Sequence, residues 1–145
     1  MASGGNSGVI YRVNEPGQLA YHTGPEYQIF DDNSVPNELS PFHSAGAIYG
    51  LYAAEQKSLC ATGEYNSAKI IAHGNHIEHW LNGDRVAECE INSQAWRQKI
   101  AGSKFHAWPQ FGTFPEGHTV LQSHGSPVWY GNLQIKILPA NKDKP

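Results

Sequence analysis

The stretch Asn75 to Gly83 reads NHIEHWLNG, packing two histidines, a glutamate and a tryptophan ahead of Asn-Gly, a strong hairpin-turn signal. These residue types titrate near neutrality, ligate metals or stack on sugars. The alternation of a β-strand divides them: His76, Glu78 and Trp80 fall on one face, Ile77, His79 and Leu81 on the other. A regular strand therefore cannot aim His76 and His79 at one ion. If Gly74-Asn75 is a two-residue turn, His73 pairs with His76 and Ile70 with His79. His79 is then either a buried, hydrogen-bonded core histidine or an acid/base group or ligand on an active face. Trp80 is either a sugar-stacking platform or a cover for the convex face.

A second group of chemical residues is spread over three strand-like segments, Ser7–Val13, Glu26–Asp31 and His118–His124. With Val9, Tyr11, Val13, Tyr27, Ile29 and Leu121 directed inward, period-two alternation puts Arg12, Glu26, Gln28, His118, Gln122 and His124 on the opposite faces. One concave sheet could hold this carboxylate, guanidinium, imidazole and amide set, which suits acid/base work and hydroxyl recognition. The competing reading is an ordinary solvated face of an antiparallel sheet. Glu26, Asp31, His76, Glu78 and His124 could offer nitrogen and oxygen ligands to a divalent ion. No pair among them has a diagnostic zinc spacing, HExxH included, so no metal ligand is assigned. A retaining glycosidase would also need a second carboxylate near Glu26, which that strand lacks.

The elements that must position these groups are short strands. The chain has 145 residues with 15 glycines, 9 prolines and 11% aromatics, and hardly any helical periodicity, which indicates one all-β domain over residues 1–139. Asn66–His73, His76–Leu81 and Asp84–Ile91 read as a three-stranded meander, and Ala45–Ala53 and Val128–Leu138 as further strands. Ser93 is a good N-cap for one helix, Gln94–Ala101, ended by Gly102. Asn14 to Gly17 makes a turn, and the polar loop Asp32–Ser44 suits a lid or rim. The tail NKDKP, residues 141–145, follows Ala140 and is expected to be disordered from 140 onward. A net charge of -3 with scattered basic residues gives no footprint for nucleic acid or an anionic membrane. No apolar run approaches the roughly 18 residues of a membrane span, and the N-terminus lacks signal-peptide character, so the chain as written reads as soluble. Cys60 and Cys89 lack CxxC spacing and read as two unpaired thiols.

Taken together, GGNSGVIYRV, EYQIFDDN, GAIYGLYA, NSAKIIAHGNHIEHWLNG and GHTVLQSHGSPVWYGNLQIKIL resemble the DUF1080 family, also named 3-keto-disaccharide hydrolases. The motifs occur in the family's order over nearly the whole chain, and NHIEHWLNG and LQSHG are specific. The resemblance implies a concanavalin A-like jelly-roll sandwich, a fold used by lectins and many glycoside hydrolases. Family members carry several strands before the segment that matches GGNSG, so this chain begins late by comparison. Missing strands would expose sheet edges, which fits either a strand-exchanged or edge-paired homo-oligomer or a fragment of a longer product. The family pattern often has Asp where Ser123 and Gly50 stand, and Arg where Lys69 and Gly131 stand.

The resemblance further implies a carbohydrate partner whose sugar is oxidised to a 3-ketone. That ketone acidifies the C2 proton, so a single base, His79 or His124 with Glu26 as orienting or acid partner, can remove it, the C1 substituent leaves by elimination, and water adds afterwards. On this reading Glu26, His79 and His124 are catalytic, and Asn6, Arg12, Gln28, Glu78, Trp80 and Gln122 contact the substrate. Amide, arginine or divalent-metal contacts would stabilise the developing enolate. The alternatives are a non-catalytic carbohydrate-binding module of the same fold and an oligomerising domain completed by a partner. Relatives are often exported, whereas this chain carries no export signal.

Overall fold

Strand β1 (Asn6–Val13) lies at the centre of the first sheet, between β2 (Glu26–Phe30) and the later β6 (His118–Leu121). A second sheet is the continuous meander β3 (Ala68–His73), β4 (His76–Leu81) and β5 (Asp84–Glu90). All pairs are antiparallel. These elements belong to a computed structural model that describes residues 1–15, 19–35 and 39–139. The Asn14–Gly17 turn, the lid or rim at Asp32–Ser44 and the tail from 140 onward therefore lie partly or wholly outside the described residues. The result is the all-β antiparallel sandwich with one short helix that composition and resemblance indicated.

The hairpins form where the turn chemistry requires. His73 faces His76 across Gly74-Asn75, and Ile70 faces His79. Gly74 and Asn82 take positive φ at the two turns, conformations in which Gly and Asn are tolerated. In β4 burial alternates strictly: Ile77, His79 and Leu81 are buried, and His76, Glu78 and Trp80 are half-exposed. The helix α1 (Gln94–Ala101) is capped by Ser93, whose hydroxyl accepts from the Trp96 N–H at 3.0 Å. Trp96 is buried and stacks with Phe111, which stacks in turn on Phe105, closing one end of the core.

Antiparallel partners share a face, so Tyr11 and Tyr27 lie on one side of the first sheet with Ser7, Val9, Ile29 and Leu121. That side meets the second sheet through His79. Its ring is fully buried, lies 4.6 Å from that of Tyr27 and receives a 3.1 Å hydrogen bond from the Tyr11 hydroxyl at Nε2. Its Nδ1 is 3.0 Å from the Gly46 carbonyl, which can only accept, so Nδ1 carries a proton, and the burial that disfavours the charged ring leaves Nε2 as the acceptor. Burial lowers the His79 pKa to about 4, against a smaller opposing effect of the backbone carbonyls.

Four expectations are corrected. Ala45–Ala53 is not a continuous strand: it bonds to β2 through Gly46, Ala47 and Tyr49, but forms only isolated bridges at Ile48 and Tyr52. Gly46 and Gly50, with φ of +84° and +70°, turn it out of the extended path. Val128–Leu138 forms no strand, because none of its backbone groups finds a pairing edge among the described residues. Leu121 is 42% exposed rather than core, since β6 is an edge strand. The face opposite Tyr11 is not an ordinary solvated one: Gly8, Ile10, Glu26 and Gln28 lie on it and are buried.

Because His79 is neutral and satisfied at both nitrogens, replacing it with leucine strands the Gly46 carbonyl and Tyr11 hydroxyl, at a cost of about 2–4 kcal/mol by urea denaturation at pH 7. The folded-state pKa lies below the unfolded value of about 6.5. The contribution of the neutral ring is thus present above pH 6.5 and is lost as pH falls toward about 4. The stability advantage of wild type over His79→Gln therefore narrows between pH 7 and pH 4, by up to roughly 3 kcal/mol. A pH-independent difference would contradict the neutral buried ring.

Candidate functional site

The outer face of the first sheet, opposite Tyr11 and Tyr27, carries Asn6, Gly8 and Ile10 from β1, Phe30, Gln28 and Glu26 from β2, and Val120 from β6. Three of the residues predicted from sequence to bind or react come together here: Asn6, Glu26 and Gln28. Gln28 Nε2 donates to Asn6 Oδ1 at 3.2 Å, so the two amides form one polar ledge. The Glu26 side chain lies directly over Gly8, in the space where any larger residue would place its Cβ. Glycine at position 8 is therefore what lets the carboxyl lie flat against the sheet.

Glu26 is only 6% exposed, and among the described residues its carboxyl makes no hydrogen bond. Burial pushes its pKa up to about 7, while the positive charge of Lys104 acts the other way. A buried carboxyl whose pKa is raised by burial and that makes no hydrogen bond among the described residues is a candidate proton-transfer group. The Tyr49 N–H donates to the backbone carbonyl of Glu26 at 3.0 Å. The Lys104 ammonium sits 4.5 Å from the Tyr49 ring centre, and the His43 ring stacks on that of Tyr49 at 4.8 Å. Lys104 and His43 also line a cleft of about 460 Å³ with Phe42, Gly50, Lys99 and Phe105.

Past β6 the chain stays beside β1. Gln122 donates its N–H to Gly8 O at 2.9 Å, and the Ser126 hydroxyl accepts from Asn6 N–H at 2.8 Å. Gln122 is half-buried and His124 exposed, next to the Asn6 end of the ledge. Ser7 donates to the Gln122 carbonyl at 2.6 Å and is 2.7 Å from the Tyr130 hydroxyl, which pins this segment down.

The other predicted residues lie elsewhere. Arg12 takes φ +55° where the β1–β6 register shifts, and this bulge sends its Nη2 to the Gly74 carbonyl at 2.6 Å, toward the β3–β4 turn. His118 pairs beyond the bulge with Val13 and is exposed. His79 lies between the sheets. Glu78 and Trp80 lie on the outer face of the second sheet, so the whole sandwich separates them from Glu26. There Glu78 Oε2 accepts from Trp80 Nε1 at 2.6 Å and Oε1 lies 3.1 Å from His76 Nε2, with Arg85 at 3.8 Å. Burial alone would raise the Glu78 pKa, but the hydrogen bonds from Trp80 and His76 and the nearby charges outweigh it and hold it low. Lys69 covers the Trp80 ring at 4.0 Å.

The five residues considered for a divalent ion are scattered over these separate faces, and Asp31 is engaged by Gly4 N–H and the Thr62 hydroxyl. Among the described residues no three potential ligands are assembled. Sequence reasoning did not single out Tyr49, His43 or Lys104. Tyr49 comes from the bent segment, and His43 and Lys104 from two short 3-10 turns, elements with no periodicity to mark which side chains come together.

Comparison with known proteins places this geometry in a family. Residues 1–136 match the model of the 3-keto-alpha-glucoside-1,2-lyase-like domain. A 3-keto-disaccharide hydrolase of Bacteroides thetaiotaomicron is 27% identical over 161 aligned positions, covering 95% of this chain and 56% of the relative. Two solved structures from Parabacteroides distasonis, each provisionally assigned as a glycosyl hydrolase, are both 33% identical. The first has a TM-score of 0.79 and is matched over 86% of this chain and 62% of its own; the second has a TM-score of 0.57, over 62% and 46%. The chain thus spans little more than half the length of the curated relative. On the extent of the family match, together with the sandwich that carries it, this chain belongs to the 3-keto-disaccharide hydrolase family.

Proposed function

We propose that this domain acts on 3-keto glycosides by elimination across C1 and C2, with Glu26 as the base. The observation that carries this reading is a nearly buried carboxyl, without a hydrogen-bond partner among the described residues, whose pKa is raised to about 7 beside an amide ledge. The family description and the printed name of the curated relative support the 3-keto substrate class. In the proposed sequence Glu26 takes the C2 proton, and the C2–H electron pair forms the C2–C3 enolate. The C1–O bond then breaks, and the leaving oxygen departs with its pair and gains a proton. Water adds at C1 of the resulting enone while a proton returns to C2. The Asn6 and Gln28 amides, Gln122 and the Lys104 charge are suited to hold sugar hydroxyls and the C3 oxyanion, and His124 to protonate the leaving group. The cleft by Phe42 and Lys104 has the volume of a small-ligand site and would take the second sugar.

In this reading His79 holds the two sheets in register, Arg12 holds the β3–β4 turn, and Glu78 with Trp80 braces the outer face of the second sheet. The second reading, a non-catalytic carbohydrate-binding module, draws on the same withdrawal of Arg12 and His79 from the face. It predicts binding without turnover.

Assays with 3-keto and unoxidised disaccharides separate the two, since elimination requires the acidified C2 proton: 3-keto glycosides are cleaved and ordinary ones are inert. Equal turnover of unoxidised maltose-like substrates would sink the proposal. Glu26→Gln lowers kcat by about 10²- to 10⁴-fold, and wild-type kcat/KM rises with pH through about 7 as the base ionises. His124→Ala and His79→Ala differ in kind, the former lowering kcat in a stable protein and the latter lowering stability. Gly8→Ala displaces the carboxyl from its seat and lowers kcat even if the circular dichroism spectrum is retained.

The raised Glu26 pKa also has a stability sign. Its folded value lies above the unfolded one of 4.5, so its protonated form stabilises the fold at low pH, and that contribution is lost as pH rises through about 7. Glu26→Gln therefore gains stability relative to wild type between pH 4.5 and pH 8, by at most roughly 3 kcal/mol in denaturant titrations.

A further inference from the structure

The chain carries a net charge of -3, yet the cleft beside Tyr49 is lined by two lysines, Lys99 and Lys104, and by no acidic residue among the described ones. Neither lysine forms an ion pair among the described residues. Both ammonium groups rest instead on aromatic rings. Lys99 Nζ lies 4.7 Å from the ring centre of Tyr52 and 5.6 Å from that of Phe42, and Lys104 Nζ lies 4.5 Å from Tyr49 and 5.4 Å from Phe105. A ring face holds an ammonium in place but supplies neither a counter-charge nor a lone pair, so its N–H donors stay available. The cleft therefore presents positive charge that its own walls do not neutralise.

The two lysines are placed differently with respect to Glu26. Lys104 is the cation whose charge is felt at the Glu26 carboxyl. Lys99 comes from the last turn of α1 and is half-buried, with its ammonium between Tyr52 and Phe42. A helix C-terminus favours a cation, which accounts for a lysine at position 99 but not for the direction its ammonium takes into the cleft. Phe42, 42% exposed, and Phe105 give the cleft aromatic walls against which a flat arene can pack. Its volume of about 460 Å³ is ample for one such ring beside a sugar.

We propose that this cleft selects glycosides whose leaving group is an aromatic acid, with Lys99 binding the carboxylate and Phe42 packing on the ring. The inference rests on the elimination reading above and names the group that departs from C1. The bonds made and broken are the same: the C1–O pair passes to the phenolic oxygen, which gains a proton, and water adds at C1. Lys104 serves the Glu26 end of the site and Lys99 the anion. A neutral second sugar fits the same space but leaves the Lys99 charge unanswered, so the charged leaving group is preferred.

The test compares two 3-keto glucosides on the full chain, one with para-hydroxybenzoate as its leaving group and one with the neutral isostere para-hydroxybenzamide. The expected result is a KM about tenfold lower for the carboxylate at low ionic strength, a preference that shrinks as salt is added. Lys99→Gln brings the two KM values together, and Lys99→Arg retains the difference. A second arm needs no turnover: titration by calorimetry shows para-hydroxybenzoate binding more tightly than para-hydroxybenzamide, with the difference lost in Lys99→Gln. If no 3-keto glycoside is cleaved, the elimination reading fails while this titration still decides the anion site. Equal KM values, equal or absent binding of the two phenols, or a preference that survives Lys99→Gln would each overturn the proposal.

Discussion

The hydrogen-bond chain from Tyr11 through His79 to Gly46 is the contact on which the rest of the sandwich depends. It joins the central strand of one sheet, the central strand of the other and the bent segment that borders β2, all through one buried imidazole. An apolar residue at position 79 would fill the space but leave two polar groups dry, and a charged histidine would be costly there. The depressed pKa is the electrostatic face of the same burial, and the neutral Nδ1–H tautomer that it favours satisfies both partners. With Tyr11 and Tyr27 turned to this contact, strand alternation directs Glu26, Gln28 and Asn6 outward.

That division gives the two faces of the first sheet different energetics. The inner face is closed by aromatic and aliphatic packing, whereas the outer face holds a carboxyl whose pKa burial raises and the Lys104 charge offsets only in part. Gly8 is the local device that permits it, since the absent side chain leaves room for the carboxyl against the sheet. A group kept in this condition costs stability at neutral pH, and such costs are characteristic of sites where proton transfer is the purpose. Glu78 provides the contrast: it has a tryptophan, a histidine and an arginine around it, and its pKa is held low, as expected of a structural ion-pair centre.

Much of this was legible along the chain. The meander and its register, including His73 opposite His76 and Ile70 opposite His79, followed from Asn-Gly and Gly-Asn turns between alternating segments. The helix bounds followed from Ser93 and Gly102, because capping is a local interaction between residues three or four apart. Glu26 and Gln28 share a face because they are two apart on one strand, a relation that needs no tertiary knowledge. The bulge at Arg12 escaped notice, since nothing nearby announces a non-glycine residue with positive φ. The glycines that bend residues 45–53 were visible, but their conformations depend on how the segment meets β2.

The sequence by itself determined the all-β class, the hairpins, the capped helix and the membership that NHIEHWLNG and its companion motifs carry. It also divided the histidines and glutamate of that motif between two faces, because side-chain alternation is built into the strand. Only the tertiary structure decided which face meets what. Neither side of β4 looks onto Glu26: His79 lies between the sheets, and Glu78 and Trp80 lie beyond them. The reason is that a strand's period settles which residues are together, whereas the choice of buried face depends on partners far along the chain. Here that partner is the pair Tyr11 and Tyr27, whose hydroxyls reach His79 and the Trp80 carbonyl across the core.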